Sequence, residues 1–404
     1  MAAPATLSVE SQRLEHAKGA VLTLVLLSCG HAVVDLYSSA IGALQPMLAD
    51  KLHLSLTQAG ILAGTFVFSN SVTQPLYGYL ADRFHTRMFA ALAPAVAGIF
   101  VSSVGRAPTF GWTLALAVLG GAGIASFHPQ GASNSIAGLA RKKPQGMAVF
   151  VSSGSLGLAI GPSVFSYVSA HWGLSNVVWI GLLGVAMTAL LFAFLPLHTR
   201  PADRTRRGID WEEFRPFKTQ LIILYLLVFI RSTVQVTYNQ FLPLFLTRER
   251  AYTPTMAGYI TSLYLVGGAV GGFAGGHLAD RFGGRRIIMI SMIASVPLLC
   301  VFILGGGATS VAGLVIGGAI LLFTVPVNVV MAQQLVPSQA GTISAMMMGF
   351  AWGMAGLVLI PVTGWLADHS SLQVALGSWL VFPVLGFFLA AILPKDHPVR
   401  AVPR

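Results

Sequence analysis

The sequence predicts an all-α polytopic membrane protein, with twelve transmembrane helices arranged as two pseudo-symmetric six-helix bundles. Three observations predict it. Of 404 residues, 55% are apolar and only 9% are charged, against roughly a quarter charged in a soluble domain, and the mean hydropathy is +0.76. The apolar residues fall into runs long enough to cross about 30 Å of hydrocarbon at about 1.5 Å per residue. One pentapeptide also occurs twice, as Leu80-Ala81-Asp82-Arg83-Phe84 and Leu278-Ala279-Asp280-Arg281-Phe282, each time after the second apolar run of its half.

In chain order, helices are expected near 20–48, 55–81, 86–105, 110–139, 145–170 and 174–196, then near 219–247, 253–279, 286–306, 309–336, 340–367 and 371–393. The first seventeen residues contain Glu10 and Glu15 and no apolar stretch, so they do not read as a cleaved signal, and the first run is expected to remain as a span. Residues 197–218 are the one long polar stretch, with Arg200, Arg204, Arg206, Arg207, Arg215 and Lys218 among acids. They divide the chain into bundles 1–196 and 219–404. Prolines recur at matched places, Pro46 with Pro243 and Pro162 with Pro361. Such parallel repeats, related by an axis along the membrane normal, are a transporter plan that works by rocking one half against the other.

Charge placement orients the chain. With the N-terminus inside, nineteen Lys and Arg lie on the cytoplasmic side, while Lys51, Arg106, Arg248 and Arg250 lie outside and Arg231 lies within a span. Basic residues in short loops resist translocation, so both termini are expected in the cytoplasm. The net charge of +11 is scattered between apolar runs rather than gathered in a stripe, which excludes a nucleic-acid partner. Cys29 and Cys300 sit inside apolar runs, leaving no disulfide framework or CxxC metal site. No GxxxxGK[ST] nucleotide loop occurs. A bis-histidine haem built on His31 and His128 is chemically conceivable, but no second ligand pair or CxxCH accompanies it. No enzyme activity, cofactor or metal is expected.

Four ionisable side chains lie deep in spans: His31, Asp35, His128 and Arg231. Groups of this kind cost several kcal/mol in hydrocarbon unless paired or wet, and mark pathways by default. His31 and Asp35 share a helix face at i,i+4. They are candidates for proton coupling with His128, because imidazole titrates near physiological pH; an alternative for His128 is a satisfied buried histidine ahead of the kinking Pro129. Arg231 is the candidate anchor for an anionic substrate, since guanidinium offers a planar fork to a carboxylate or phosphonate. Gln235 and Tyr238 follow it by one and two turns, and Gln74, Gln130 and Asn328 are further candidate substrate contacts. If Asp35 and Arg231 met across the cavity, they would form a pair or a staple between the halves.

The repeated loops resemble the cytoplasmic-loop motif of the major facilitator superfamily, and the resemblance covers nearly the whole chain. The second copy, Gly276 through Asp280, Arg281 and Arg285, fits almost fully. The first, with Gly78, Asp82, Arg83 and Arg87, departs in having His85 where glycine is usual. The resemblance implies a gating cluster of carboxylate and arginines at the cytoplasmic helix ends. Gly157, Gly161 and Pro162 are similar to the glycine-proline motif of the superfamily's antiporters, with Phe165-Ser166 where a glycine pair is usual. The fourth-helix arginine of another superfamily motif is absent, Ala117 standing in its place.

Ser28, His31 and Asp35, Gln74-Pro75 with Gly78-Tyr79, Phe127-His128-Pro129, and Arg231-Ser232 ahead of Pro243-Leu244 narrow the resemblance to the fosmidomycin-resistance exporter family. It implies proton-driven efflux of a small drug-like or anionic compound, such as a phosphonate antibiotic, across a bacterial inner membrane; the chain is expected to work as a monomer. Proton-coupled import of a small organic anion is the alternative. An anion held by Arg231 would free Asp35 to take a proton, as in symport, so antiport of an anion requires that the doubly loaded state not turn over.

Overall fold

The computed structural model describes residues 9–84, 86–139, 142–195 and 211–394, with side chains from Lys18 onward except that of Asp82. Among them are helices and turns but no strand. Eleven spans are long and apolar enough to cross a membrane: α1 (Lys18–Leu52, with a turn at Ser39), α3 (Met88–Arg106), α4 (Phe110–Ser135), α5 (Lys143–Trp172), α6 (Leu174–Phe194), α7 (Trp211–Arg248), α8 (Pro254–Phe282), α9 (Gly284–Leu304), α10 (Gly307–Leu335, with a turn at Leu322 and Phe323), α11 (Pro337–His369) and α12 (Leu372–Ile392). The twelfth, α2, runs as Leu56–Ser71 and Gln74–Phe84 with a break at Val72 and Thr73. Thr73 bonds back to the Ser69 carbonyl at 2.6 Å, a local competitor for the helix ladder.

Several boundaries differ from expectation. The first helix already begins at Val9, and the last residues of the expected linker, Trp211–Phe217, are helical and run into α7. Residues 197–210, with Arg200, Arg204, Arg206 and Arg207, lie outside the described residues. α4 ends at Ser135 rather than 139. α11 carries a π-helical turn at Ala345–Phe350, a form often found where helices have work to do.

Matched positions in the two halves do matched work. On one side, Lys51 donates to the Gly105 and Ala107 carbonyls at 2.9 and 2.8 Å, and Arg250 donates to the Gly305 and Ile303 carbonyls. Each satisfies orphan carbonyls at a helix C-terminus. On the other side, Arg87 donates to the Leu195 and Phe192 carbonyls at the end of α6, and Arg285 donates to the Ala390 and Ala391 carbonyls at the end of α12. The duplication is therefore visible in packing chemistry as well as in sequence.

The bundles meet over one half of their length, toward the Lys51 and Arg250 side. Along α2 and α11, glycines let the backbones touch: a Cβ on Gly60 would lie 2.7 Å from the Ile360 carbonyl oxygen, and one on Gly364 would lie 2.1 Å from that of Leu56. Small residues at such crossings give the close packing that membrane helices need in place of a hydrophobic drive. At the rim, Asp368 accepts from the Leu56 and Thr57 amides, both at 2.8 Å, and from the Thr57 hydroxyl at 2.6 Å. Arg248 pairs with Asp50 at 3.1 Å. α5 and α8 are joined by Ser163 and Ser262, whose hydroxyls are 2.7 Å apart. Beyond Gly349, where a Cβ would lie 3.7 Å from the Ser71 carbonyl oxygen, no close backbone contact between the bundles is found among the described residues, and Gln74–Phe84 packs chiefly on α4. The side bearing the repeated loops is thus the open one.

Candidate functional site

α1 and α7 face each other where Gly42 abuts the Asn239 carbonyl, a Cβ there lying 2.8 Å from it. Asp35 and Arg231 sit about two turns further toward the open side on their respective helices, so they share a depth. They do not pair. Among the described residues, the ion-pair partners of Asp35 are histidines: His31 Nε2 at 3.2 Å from Oδ2, and His128 Nε2 at 3.5 Å from Oδ1. Ser38 donates to Oδ1 at 3.4 Å. The idea that Asp35 and Arg231 staple the halves together is therefore wrong for this state. The i,i+4 spacing on α1 and the short reach from α4 make histidine the nearer partner.

The cluster is tightly framed. His31 Nδ1 is 2.7 Å from the Phe150 carbonyl, which can only accept, so Nδ1 bears hydrogen and Nε2 is the nitrogen turned to Asp35. Its ring stacks on that of Phe150 with centroids 4.2 Å apart and lies 6.0 Å from that of Phe127. Gly154 on α5 is required here, since a Cβ would come within 2.4 Å of the His31 ring and 2.6 Å of Asp35 Oδ2. A proton on Nε2 closes a charge-assisted bond to the carboxylate, and without it a lone pair faces an anion. Asp35 and His128 keep side-chain exposures of 17% and 22%, enough for water to reach them.

Arg231 occupies a different setting. It is 4% exposed and donates to Gln235 of its own helix, while Nε has no partner among the described residues. No carboxylate lies within ion-pair distance among those residues. On other C-terminal-bundle helices, Tyr264 Oη on α8 and both amide atoms of Asn328 on α10 are also buried without partners. The second bundle therefore holds a guanidinium and polar groups with spare hydrogen-bonding capacity.

Other sequence-predicted contacts resolve into structural roles. Gln130 donates to the Thr86 carbonyl and accepts from the Ala90 amide at 2.9 Å, so in this state it caps the start of α3. Tyr238 is fully buried and bonds the Leu376 carbonyl at 3.4 Å, which places it in the bundle core. Gln74 donates to the Asn70 carbonyl at 3.0 Å and stays half-buried at the break in α2.

The gating residues divide in the same way. Arg87 and Arg285 are helix caps within their own bundles, as described above. Arg83 bonds Tyr79 at 3.0 Å. Asp280 and Arg281 are exposed, and Asp280 makes no ion pair among the described residues, whereas the side chain of Asp82 lies outside them. Gly78 and Gly276 lie near Pro129 and Pro326, at 3.4 and 3.7 Å from a built Cβ. Gly157 and Gly161 seat α5 on the backbone of α1 at Ala32 and Leu36, and the Pro162 carbonyl meets Gly258 of α8. Gly154, Phe150, Asp368 and the Asp50–Arg248 pair are contacts that sequence reasoning missed. The last pair had a signal, because Asp50 and Arg248 stand at matched positions of the two repeats.

The Major Facilitator Superfamily model matches residues 27–248 and 224–404. The chain belongs to that superfamily. An uncharacterized MFS-type transporter, YfnC of Bacillus subtilis, is 29% identical over 93% of this chain and 94% of its own length. The fosmidomycin resistance protein of Escherichia coli is 26% identical over 92% of both chains. Multidrug resistance protein 1 of B. subtilis is 25% identical over 82% of this chain and 85% of its own. Among solved structures, a bacterial homologue of the lysosomal transporter Spinster, inward-facing and occupied, superposes with a TM-score of 0.77 at 15% identity over 91% of this chain and 96% of that one. A point mutant of the nucleoside transporter NupG gives 0.78 at 14% identity over 92% and 99%. The superfamily protein is thus a membrane transporter and not an enzyme, and its resemblance to the fosmidomycin-resistance family extends over nearly its full length.

Proposed function

We propose that this transporter is a proton-coupled exporter of a small organic anion, working by alternating access in a bacterial inner membrane with both termini in the cytoplasm. The observation that carries the reading is the placement of Asp35 between His31 and His128, on the open side of the sealed contact between bundles. A proton there sits between three titratable groups, and its arrival or departure changes the charge of a site that rocking would expose to opposite sides. Arg231, buried with no carboxylate partner among the described residues, supports an anionic cargo. The names of the resistance relatives support export, and the distribution of Lys and Arg supports the orientation.

Reconstituted protein with an imposed pH gradient tests this, with phosphonates and other small anions screened as cargo. Cargo should move against the proton flow, and Asp35→Asn should lose gradient-driven movement while retaining cargo exchange. Undiminished gradient-driven transport by Asp35→Asn would remove the proton site. Cargo moving together with protons would make the protein an importer.

A further inference from the structure

We propose that His31, Asp35 and His128 form a binding site for a divalent transition-metal ion of the zinc class. The sequence predicted no metal because the three ligands come from α1 and α4 without a recognisable local motif. In the folded chain, one donor atom from each residue lies within 4.8 Å of the others. His31 Nε2 lies 3.2 Å from Asp35 Oδ2 and His128 Nε2 lies 3.5 Å from Oδ1, so the carboxylate stands between the two imidazoles. Each distance is close to the donor–donor edge of about 3.3 Å that tetrahedral bonds of about 2.0–2.1 Å require, but on separate oxygens. Closing on one ion requires the donors, which lie within 4.8 Å of one another, to contract by a small rotation of the carboxylate and the His128 ring. Two imidazoles and a carboxylate are a ligand set that suits zinc and leaves a fourth position for water or an anion.

A second observation is the support behind the ligands. The Phe150 carbonyl fixes the His31 tautomer, and so directs the Nε2 lone pair at the centre, as outer-shell acceptors do for metal-bound histidine. Stacking on Phe150 holds the ring plane, and Gly154 keeps side-chain bulk off the cluster. The partial exposure of Asp35 and His128 gives an ion a route from the open side. The metal would occupy the place assigned above to the proton and block turnover.

The test uses the full chain purified in detergent, stripped with a chelator, and titrated with Zn²⁺ against a chromophoric indicator. A parallel titration with Co²⁺ is followed by visible absorption. One ion per chain is expected, with tetrahedral-type cobalt bands in the unmutated protein. His128→Gln and Asp35→Asn should each weaken zinc binding at least tenfold and abolish those bands. His171→Gln and His369→Gln, at exposed histidines bonded to their own helices, should change neither. Absence of stoichiometric binding by the unmutated chain would overturn the proposal, as would unchanged affinity in His128→Gln or equal losses in the controls. The cobalt spectrum of unmutated protein needs no variant to fold. Binding is read without cargo or gradient, so its failure leaves the transport reading standing, and a failure of transport leaves the metal affinity measurable.

Discussion

Removing the Asp368 carboxylate should open the sealed side of the protein. This one side chain accepts three hydrogen bonds across the bundle interface, all on the first turn of α2. It thus serves as a cap on a helix N-terminus supplied by the other half of the molecule. Carboxylates at exposed helix N-termini contribute about 0.3–1 kcal/mol through the helix dipole, and loss of a capping acceptor costs about 1 kcal/mol. The group is solvent-exposed, so a combined effect of about 1–2 kcal/mol is the appropriate scale for Asp368→Ala. Because about 1.4 kcal/mol is a factor of ten in an equilibrium constant, the population with this side open should rise roughly five- to thirtyfold. Spin labels on cysteines at His53 and Val374, in a background lacking Cys29 and Cys300, would report the separation across the seal. The long-distance population should grow in Asp368→Ala, less in Asp368→Asn, and further when Arg248→Ala also removes the pair to Asp50. A distance distribution unchanged in both single variants and the double would refute the idea that these polar contacts hold the seal.

The arginine caps and Arg231 make two further predictions. Arg285→Ala leaves the Ala390 and Ala391 carbonyls without their donor, and Arg87→Ala does the same to Leu195. Each should therefore lower the melting temperature by several degrees, on the scale of about 1–3 kcal/mol per uncompensated group, and a melt identical to wild type would assign these arginines to gating alone. Arg231→Lys should weaken anion binding at least tenfold by calorimetry, since an ammonium cannot reproduce the fork, and adding Asp35→Asn should give no rescue because the two side chains do not pair. Full-strength anion binding by Arg231→Ala would end the anion-site reading.

The twelve spans were legible because hydrocarbon imposes a length and composition on every helix that crosses it, and because the Leu-Ala-Asp-Arg-Phe repeat marked the duplication. His31 and Asp35 were legible as a pair because helical periodicity places them on one face. His128 joined them only through the packing of α4 on α1, which no local spacing encodes. The Asp35–Arg231 pairing failed for the same reason in reverse, since shared depth and opposite charge do not establish contact when a nearer partner is available to each. Gln130 and Tyr238 show that a polar residue in a span can as readily cap a neighbouring helix or bond a carbonyl as face a cavity. The turn in α2 falls in the polar run from Ser69 to Gln74, whereas the one at Leu322 and Phe323 was invisible because apolar composition continues through it.

The symmetry of the scaffold makes the asymmetry of its chemistry informative. Lys51 and Arg250 do one task on the sealed side, and Arg87 and Arg285 do one task on the open side, so the duplicated unit kept its architectural cations in both copies. The deep ionisable groups were not kept in duplicate. The first bundle holds a carboxylate with two imidazoles, and the second holds a guanidinium with unpartnered amide and phenol groups. On the proposed function, each bundle would carry a site of its own, and rocking would move the two as separate bodies rather than breaking and remaking one ion pair. Coupling in such a machine has to come from the allowed combinations of occupancy. An anion held near Arg231 would alter the field at Asp35 through the gap between the bundles, and the His31 and His128 rings would set how much positive charge stands against it. Antiport follows if closure of the open side is permitted with either the anion or the proton aboard but not with both, a rule that two separate sites can enforce through the charge trapped between bundles.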